Sequence, residues 1–323
     1  MNILLTSAGI RGYLVNYFKD VLKNKDNVFA ADCDKYAPAL YNADKSFIIP
    51  RVEDGNYIRI LLNICKKNKI DGIVSLNDLE LPVLSKNKDK FLDENIKIII
   101  SDPEIIDICY DKYKTYEFLV KNYLPAPKTY ISLTKALDHY KKGELKFPVI
   151  VKPRKGSASI GIKKIESKQE LMNEFKDNKG LMIQEMFKGQ EYGVDIFNNE
   201  NCEPLCIFAK KKIKMRAGET DKAVTFYDKE MIDFLKDFSE KLGFYGPADI
   251  DLFKQDDKYL ITEINPRFGA GYPTSHAVGA DFPKKVIELI KNERLKPNFK
   301  RYDNDVVMMK QHEIVVKKEK DLV

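Results

Sequence analysis

The order of elements over the first hundred residues constrains this chain more than any other feature. Short apolar runs at 2–6 (NILLT), 27–32 (NVFAAD), 46–50 (SFIIP), 70–76 (IDGIVSL) and 96–100 (IKIII) read as strands. Between them, 13–23 and 57–67 carry apolar residues at helical spacing. Strands alternating with helices predict a parallel sheet with crossover connections. In such sheets ligands sit beyond the carboxyl ends of strands, here residues 7–12, 32–34 and 77–80. The turn 7-SAGIRG-12 lacks the third glycine of a dinucleotide fingerprint, so it reads either as an anion site at a helix start or as a tight turn.

Past about residue 103 the pattern changes, and the main boundary is expected near 101–110. A helix at 111–122 and the breaker 125-PAP-127 precede a strand at 147–153, the small-residue loop 155-KGSASIG-161 and a helix at 168–178. Strands follow at 181–187, 191–197 and 204–215, with 198-NNEN-201 as a turn. Residues 229–243 predict an amphipathic helix with Ile232, Leu235, Phe238 and Leu242 as its buried stripe and Gly243 as its stop. A hairpin of 248–253 and 259–265 follows, and 305–316 (DVVMMKQHEIVV) reads as a final strand. This half is antiparallel α+β.

Composition narrows the function. At 323 residues, 44% hydrophobic and 32% charged, with no low-complexity run, the chain is long enough for two or three cores. It shows neither a basic leader before an apolar stretch nor about 20 consecutive apolar residues, and a cytoplasmic protein with no membrane partner is expected. Cys33, Cys65, Cys109, Cys202 and Cys206 are odd in number and scattered, against a disulfide framework; Cys202 and Cys206 read as one face of a strand rather than half a zinc site. The net charge of +6 is too mild for a nucleic-acid partner, and 210-KKKIK-214 reads as solvated surface. His139, His276 and His312 are too dispersed for a triad or a metal cluster.

The candidate chemistry lies in three stretches. In 149-VIVKPRKGSASIGI-162, Lys152 closes a strand before a loop of Gly, Ser and Ala whose backbone N–H groups can converge on phosphate oxygens. The lysine precedes the glycines, so this is not a P-loop; the segment alone also fits a plain hairpin turn. In 183-IQEMFKGQEYGVD-195, an apolar strand end suits a base, and Glu191 can accept two ribose hydroxyls. In 249-DID-251 and 263-EINPR-267, Asp249 and Asp251 share one strand face while Glu263 and Asn265 share one on the partner strand. Hard oxygens on adjacent strands suit Mg²⁺ with phosphates and water completing the octahedron, and Arg267 would neutralise phosphate charge.

Taken in order, these motifs resemble the ATP-grasp superfamily, in particular single-module proteins similar to the carbamoyl-phosphate synthase large subunit. The resemblance covers nearly the whole chain through 111-DK-112, 152-KP-153 with 156-GSASIG-161, 185-EMFKGQEYGVD-195, 215-MRAGETDKAVT-225 and 263-EINPRFGAG-271. It implies an α/β parallel-sheet, Rossmann-like domain over 1–105. An α+β ATP-grasp fold of two subdomains would come next, a lid over 106–183 and a metal-bearing subdomain over 184–323. It further implies ATP and Mg²⁺, or Mn²⁺, as cofactors. Lys112 and Lys152 would contact the nucleotide; Ser157, Ser159 and Gly161 would belong to the loop over the phosphates. Glu185, Met186 and Phe187 would meet the adenine through backbone groups, and Glu191 the ribose. Asp251, Glu263 and Asn265 would bind the metal, although the family commonly has Glu or Gln where this chain has Asp251. Arg267 and Arg216 would be catalytic, with Arg154 as another candidate to hold the phosphorylated intermediate.

The implied reaction joins a small carboxylate and an amine through an acyl phosphate, at the cost of ATP. A carbamoyl-phosphate-synthase-like or small-carboxylate kinase activity with a partner chain, and a non-catalytic nucleotide-binding regulator, are the alternatives. A homodimer is compatible with the resemblance. Asp32, Asp78 and Glu80 are candidates to hold a substrate ammonium or are caps and turns, and Lys310 is a candidate to reach the site.

Overall fold

The computed structural model describes residues 1–323 apart from 24, 25, 157–159, 176–179, 256 and 312. The expected helix at 168–178 therefore runs partly, and Ser157, Ser159 and His312 wholly, outside the described residues.

In the first part, β1 (Asn2–Thr6), α1 (Gly12–Leu22), β2 (Asn27–Asp32), β3 (Lys45–Ile48), α2 (Tyr57–Lys67), β4 (Gly72–Ser75), α3 (Leu81–Lys86), α4 (Lys88–Leu92) and β5 (Lys97–Ile98) are arranged in order. Their strands form a parallel sheet in the order β3-β2-β1-β4-β5. Alternation along β1 explains the layering. Ile3 and Leu5 pack against Leu14, Val15 and Phe18 of α1, while Leu4 points into the opposite cluster with Leu61, Cys65, Leu84 and Phe91. A parallel sheet covered on both sides needs such uninterrupted apolar strands.

The chain continues through α5 (Pro103–Tyr110), α6 (Lys112–Lys121), β6 (Thr129–Tyr130), α7 (Leu133–Lys141), β7 (Val149–Pro153), β8 (Lys163–Ile165), α8 (Lys168–Phe175) and β9 (Leu181–Glu185). Here the sheet is antiparallel, ordered β6-β9-β7-β8. The last part holds β10 (Glu191–Asn198), β11 (Pro204–Arg216), β12 (Glu219–Thr225), α9 (Lys229–Leu242), β13 (Gly246–Gln255), β14 (Lys258–Asn265), α10 (Tyr272–His276), α11 (Phe282–Ile290) and β15 (Val307–Met309). Its six-stranded sheet runs β14-β13-β10-β11-β12-β15. Helix α9 forms as its pattern predicts. Ile232, Leu235, Phe238 and Leu242 are all buried, the Asp228 side chain accepts from Met231 N, and Gly243 closes the helix at φ 70°.

The first and third sheets share one core: Leu14, Val15 and Phe18 of α1 belong to the same apolar cluster as Phe197, Phe208, Phe268, Tyr272 and Phe282. Two expectations are corrected. The strand expected over 305–316 shortens to Val307–Met309, pairing with Lys222–Val224 at the sheet edge. Beyond it Ile314 and Val316 are exposed, so apolar alternation found nothing to pack against. Cys202 sits in the turn before β11 at φ 61°, not on one strand face with buried Cys206.

Candidate active site

Strand register builds the site. Gly193 of β10 lies opposite Lys210 of β11 and Asp251 of β13; Asp195 lies opposite Asp249; Asp249 and Asp251 lie opposite Asn265 and Glu263 of β14. Directly opposed residues share a face, and so do residues two apart. Glu191, Asp195, Lys210, Lys212, Asp249, Asp251, Glu263 and Asn265 therefore project from the same side of four adjacent strands. A bulge after Asp251 lets Leu252 pair with Ile261 and keeps Glu263 beside Asp251.

The two lysines are buried, against the expectation of a solvated 210–214 run. Lys210 Nζ donates to Asp195 Oδ2 at 2.6 Å and lies 3.9 Å from Asp249; Ser275 Oγ donates to the same Asp195 oxygen at 2.5 Å. Lys212 Nζ sits 2.6 Å from Asp251 Oδ1 and 2.8 Å from Glu191 Oε1. Both stems cross over Gly193, where an added Cβ would stand 3.2 and 3.3 Å from their Cε atoms. Burial opposes the charge on Lys212, but Asp251, Glu191 and Asp249 outweigh it and raise its pKa. Burial, with Asp249, Glu191 and Glu263, pushes the Asp251 carboxyl up to about 7 against the pull of Lys212.

Arg267 closes this face. Its Nη2 donates to Asp78 Oδ2 at 2.8 Å, Nη1 lies 3.6 Å from Asp249, and its buried Nε has no partner among the described residues. The glycines of 263-EINPRFGAG-271 serve this network: a Cβ on Gly269 would come within 2.7 Å of both Asp249 oxygens. Among the described residues no three His, Cys, Asp or Glu side chains converge as a complete metal cage. Magnesium, however, is held by one or two carboxylates plus substrate phosphates rather than by an all-protein cage. Hard oxygens beside a guanidinium whose Nε alone lacks a partner among the described residues fit a divalent ion that arrives with phosphates.

A cavity of about 630 Å³ opens over this face. At one end Ile150, Ile162, Gln184, Glu185, Met186, Phe187 and Phe253 make an apolar slot, with the Phe187 and Phe253 rings 5.7 Å apart. The Glu185 carboxylate accepts from Lys128 N at 2.7 Å, while Glu185 lines the cavity with Met186 and Phe187. Lys152, at the end of β7, lines the cavity, and burial lowers its pKa to about 8. Lys112, at the start of α6, donates to Gly156 O at 2.6 Å and lies 3.7 Å from Glu263. Gly161, at φ 77°, is exposed and lies outside the cavity lining.

The other end is made by the 7–11 turn, residues 76–78 and the β11–β12 hairpin tip. Arg11 Nη1 donates to Leu76 O, and Nη2 lies 3.7 Å from Glu219 Oε1. Lys310 Nζ donates to Glu219 Oε2 at 2.9 Å, so it does reach the rim. Burial opposes the Glu219 charge, but Lys310, Arg11 and Arg267 outweigh it and hold the carboxyl below its usual range. Sequence reasoning assigned no role to Arg11, Lys210, Lys212 or Glu219, although each lies in a stretch it singled out: 7-SAGIRG-12, 210-KKKIK-214 and 215-MRAGETDKAVT-225.

Other candidates are spent elsewhere. Arg216 is exposed at the hairpin end and does not line the cavity, while Met215, Gly218, Glu219 and Thr220 do. Arg154 forms a two-point pair with buried Asp111, with Nε to Oδ1 at 3.1 Å and Nη2 to Oδ2 at 2.6 Å, and pins the loop to α6. Glu80 is fully buried and accepts from Thr6, Ser7, Ser75 and Tyr57; its pKa is raised by burial against those bonds. Asp32 accepts from Gly9 N and Asp34 N, which makes the 7–12 segment a tight turn braced by its own sheet. With Asp78 on Arg267, all three candidates for holding an ammonium already have partners.

The fold and this face define an ATP-grasp protein. The ATP-grasp domain model matches residues 109–271, and a PylC-like N-terminal domain model matches 3–99. The chain belongs to the ATP-grasp family. It is 25% identical over 296 residues to the carbamoyl phosphate synthase large chain of Thermoplasma acidophilum, covering 81% of this chain and 27% of that one. It is 29% identical over 215 residues to the D-alanine–D-alanine ligase of Petrotoga mobilis, covering 59% and 70%. The chain thus spans about a quarter of the synthase large chains it matches. N5-carboxyaminoimidazole ribonucleotide synthetase of Thermotoga maritima superposes with a TM-score of 0.67 at 22% identity, covering 92% of this chain and 77% of that one. The biotin carboxylase domain of Hydrogenobacter thermophilus 2-oxoglutarate carboxylase, solved with MgADP and bicarbonate, superposes at 0.74 and 14% identity, covering 92% and 71%. Among the described residues no helix is long and apolar enough to cross a membrane.

Proposed function

We propose that this chain is an ATP-dependent carboxylate–amine ligase that forms an amide through an acyl phosphate on a small, amino-acid-like substrate. The observation that carries the reading is the interleaving of Asp249, Asp251, Glu263 and Asn265 with Lys210, Lys212 and Arg267 on one sheet face, between an apolar slot and a second, charged end of the cavity. The family relationship supports it, since the relatives include a D-alanine–D-alanine ligase.

Each part of the site has a task. The slot at Met186 and Phe187 takes the base, Glu191 faces the ribose, and Lys152 and Lys112 neutralise phosphate oxygens from the two sides of the cleft. Asp251, Glu263 and Asn265 would hold Mg²⁺, which when bound neutralises phosphate charge and aligns the γ-phosphoryl group. Phosphoryl transfer asks the protein mainly for such positioning and neutralisation. Arg267, beside the metal face, stabilises charge as the substrate carboxylate attacks. The segment 106–183 acts as the lid, with Gly156 and Gly161 in its loop, and excludes water so that the amine rather than hydroxide takes the acyl group. The amine and carboxylate enter at the Arg11–Glu219 end.

The test is ADP release with pools of amino acids and small acids, supplied singly and in pairs, with products identified by mass. ADP release that requires both a carboxylate and an amine, and that Asp251→Asn abolishes, is expected. ADP release indifferent to added amine would overturn the ligase reading.

A further inference from the structure

Two lysines lie side by side on the charged face, and their surroundings differ. Lys210 is 1% exposed and locked: one carboxylate oxygen of Asp195 is shared between it and Ser275 Oγ, and Asp249 stands beyond at 3.9 Å. Lys212 instead lines the cavity. Its ammonium bridges Asp251 at 2.6 Å and Glu191 at 2.8 Å. Those two carboxylates come from different strands. They are the groups proposed to hold the metal and to face the ribose, so the ammonium occupies the interval that a polyphosphate must cross. Gly193, beneath the stem, offers no side chain to block a swing of the Nζ atom.

Charge limits which ions can share this interval. A divalent ion and an ammonium cannot both sit at contact distance from Asp251 without strong repulsion inside a low-dielectric cleft. Conversely, a phosphate chain passing Glu191 meets a repelling carboxylate unless a cation stays between them. One movement of Lys212 resolves both conflicts. Resting on the proposed function, we propose that Lys212 is an exchangeable counter-ion: it holds Asp251 and Glu191 while the cleft lacks nucleotide, then moves onto phosphate oxygens and releases Asp251 to the divalent ion. Metal and nucleotide then load together, each favouring the other. Lys212 is a positioning residue for the metal and a contact for the phosphates.

The role predicts effects of opposite sign, which a merely structural ion pair does not. The variant is Lys212→Met, with Lys212→Arg as the charge-retaining control. Binding of Mn²⁺ alone is read by electron paramagnetic resonance, and binding of ADP in EDTA by calorimetry. Lys212→Met is expected to bind Mn²⁺ alone at least tenfold more tightly than the natural protein and metal-free ADP at least tenfold more weakly. Adenosine binding should be unchanged, and Lys212→Arg should restore ADP binding. Should Lys212→Met fail to fold, the natural protein decides: ADP must raise Mn²⁺ affinity at least tenfold beyond what the Mn²⁺–ADP complex in solution accounts for. If the natural protein binds Mn²⁺–ADP but Lys212→Met leaves Mn²⁺ affinity unchanged or weaker, the counter-ion role is overturned and the ligase reading stands. If the natural protein binds no Mn²⁺–ADP, that reading falls and this inference with it.

Discussion

Arg267 Nη2 donates to Asp78 Oδ2 at 2.8 Å, across 189 residues of sequence, and so bolts the end of the parallel sheet to the end of the charged face. Both side chains are nearly buried, at 10% and 14% exposure. Burial opposes the guanidinium charge, but Asp78, Asp249 and Glu263 outweigh it and raise its pKa. Removing one partner of a buried pair leaves the other uncompensated, at about 3–5 kcal/mol when burial is complete. With some solvent remaining, Asp78→Ala is expected to cost about 2–3 kcal/mol. Urea unfolding would show this as a lower midpoint at unchanged slope; an unchanged midpoint would make the pair a surface contact.

Glu80 is expected to stabilise rather than to bind substrate. Its carboxylate gathers hydroxyls from β1, the turn after it, β4 and α2. Glu80→Ala leaves those donors without their acceptor and should cost roughly 2–4 kcal/mol. Chemical denaturation checks the loss, and the KM for the amine, measured below the unfolding range, should stay unchanged. A raised KM at full stability would instead restore Glu80 as an ammonium ligand.

Lys152 predicts an alkaline limit on nucleotide binding. Burial lowers its pKa to about 8, with Glu263, Asp251 and Glu191 supporting the charge and Lys112 opposing it. Above that pH the free protein carries a neutral amine, whereas phosphate favours the ammonium, so binding must take up a proton. Above about pH 8, MgADP affinity should fall by up to about tenfold per unit. Calorimetry in buffers of different ionisation enthalpy detects the proton, and Lys152→Met should abolish both the uptake and the slope.

Gly269→Ala tests the close approach of backbone to Asp249. The new methyl would overlap both carboxylate oxygens, so either Asp249 or the 268–271 chain must move. A cost of about 1–3 kcal/mol in stability is expected, together with weaker Mn²⁺–ADP binding and unchanged adenosine binding. Titrations with the two ligands separate these effects; equal weakening of both would mean that the slot, not the carboxylate face, had shifted.

Period-two spacing made the carboxylate-rich face readable. Asp249, Asp251, Glu263 and Asn265 announce a shared face within two short stretches, and helix α9 announces itself by its stripe and its glycine stop. Lys210 and Lys212 were unreadable because a run of lysines looks the same on a solvated strand and on a buried one. Their partners Glu191, Asp195, Asp249 and Asp251 lie on other strands, and only the β13-β10-β11 order brings them across. The fates of Asp32, Asp78 and Glu80 were hidden for the same reason: a carboxylate at a strand end looks free until its distant donors are known. Arg216 pairs in register with Glu219 beside the turn at Ala217 and Gly218, both at positive φ, yet it is exposed and outside the cavity lining, which strand period alone does not foretell.

Glu219 stands between Arg11 of the first turn and Lys310 beyond the last strand. The mouth of the cleft thus joins two pieces that no sheet ladder fixes to one another, the turn after β1 and the β12–β15 sheet edge, whereas the slot and the oxygen-rich floor are set by rigid register. Variation at the mouth can retune which molecules enter while the machinery beneath is left untouched.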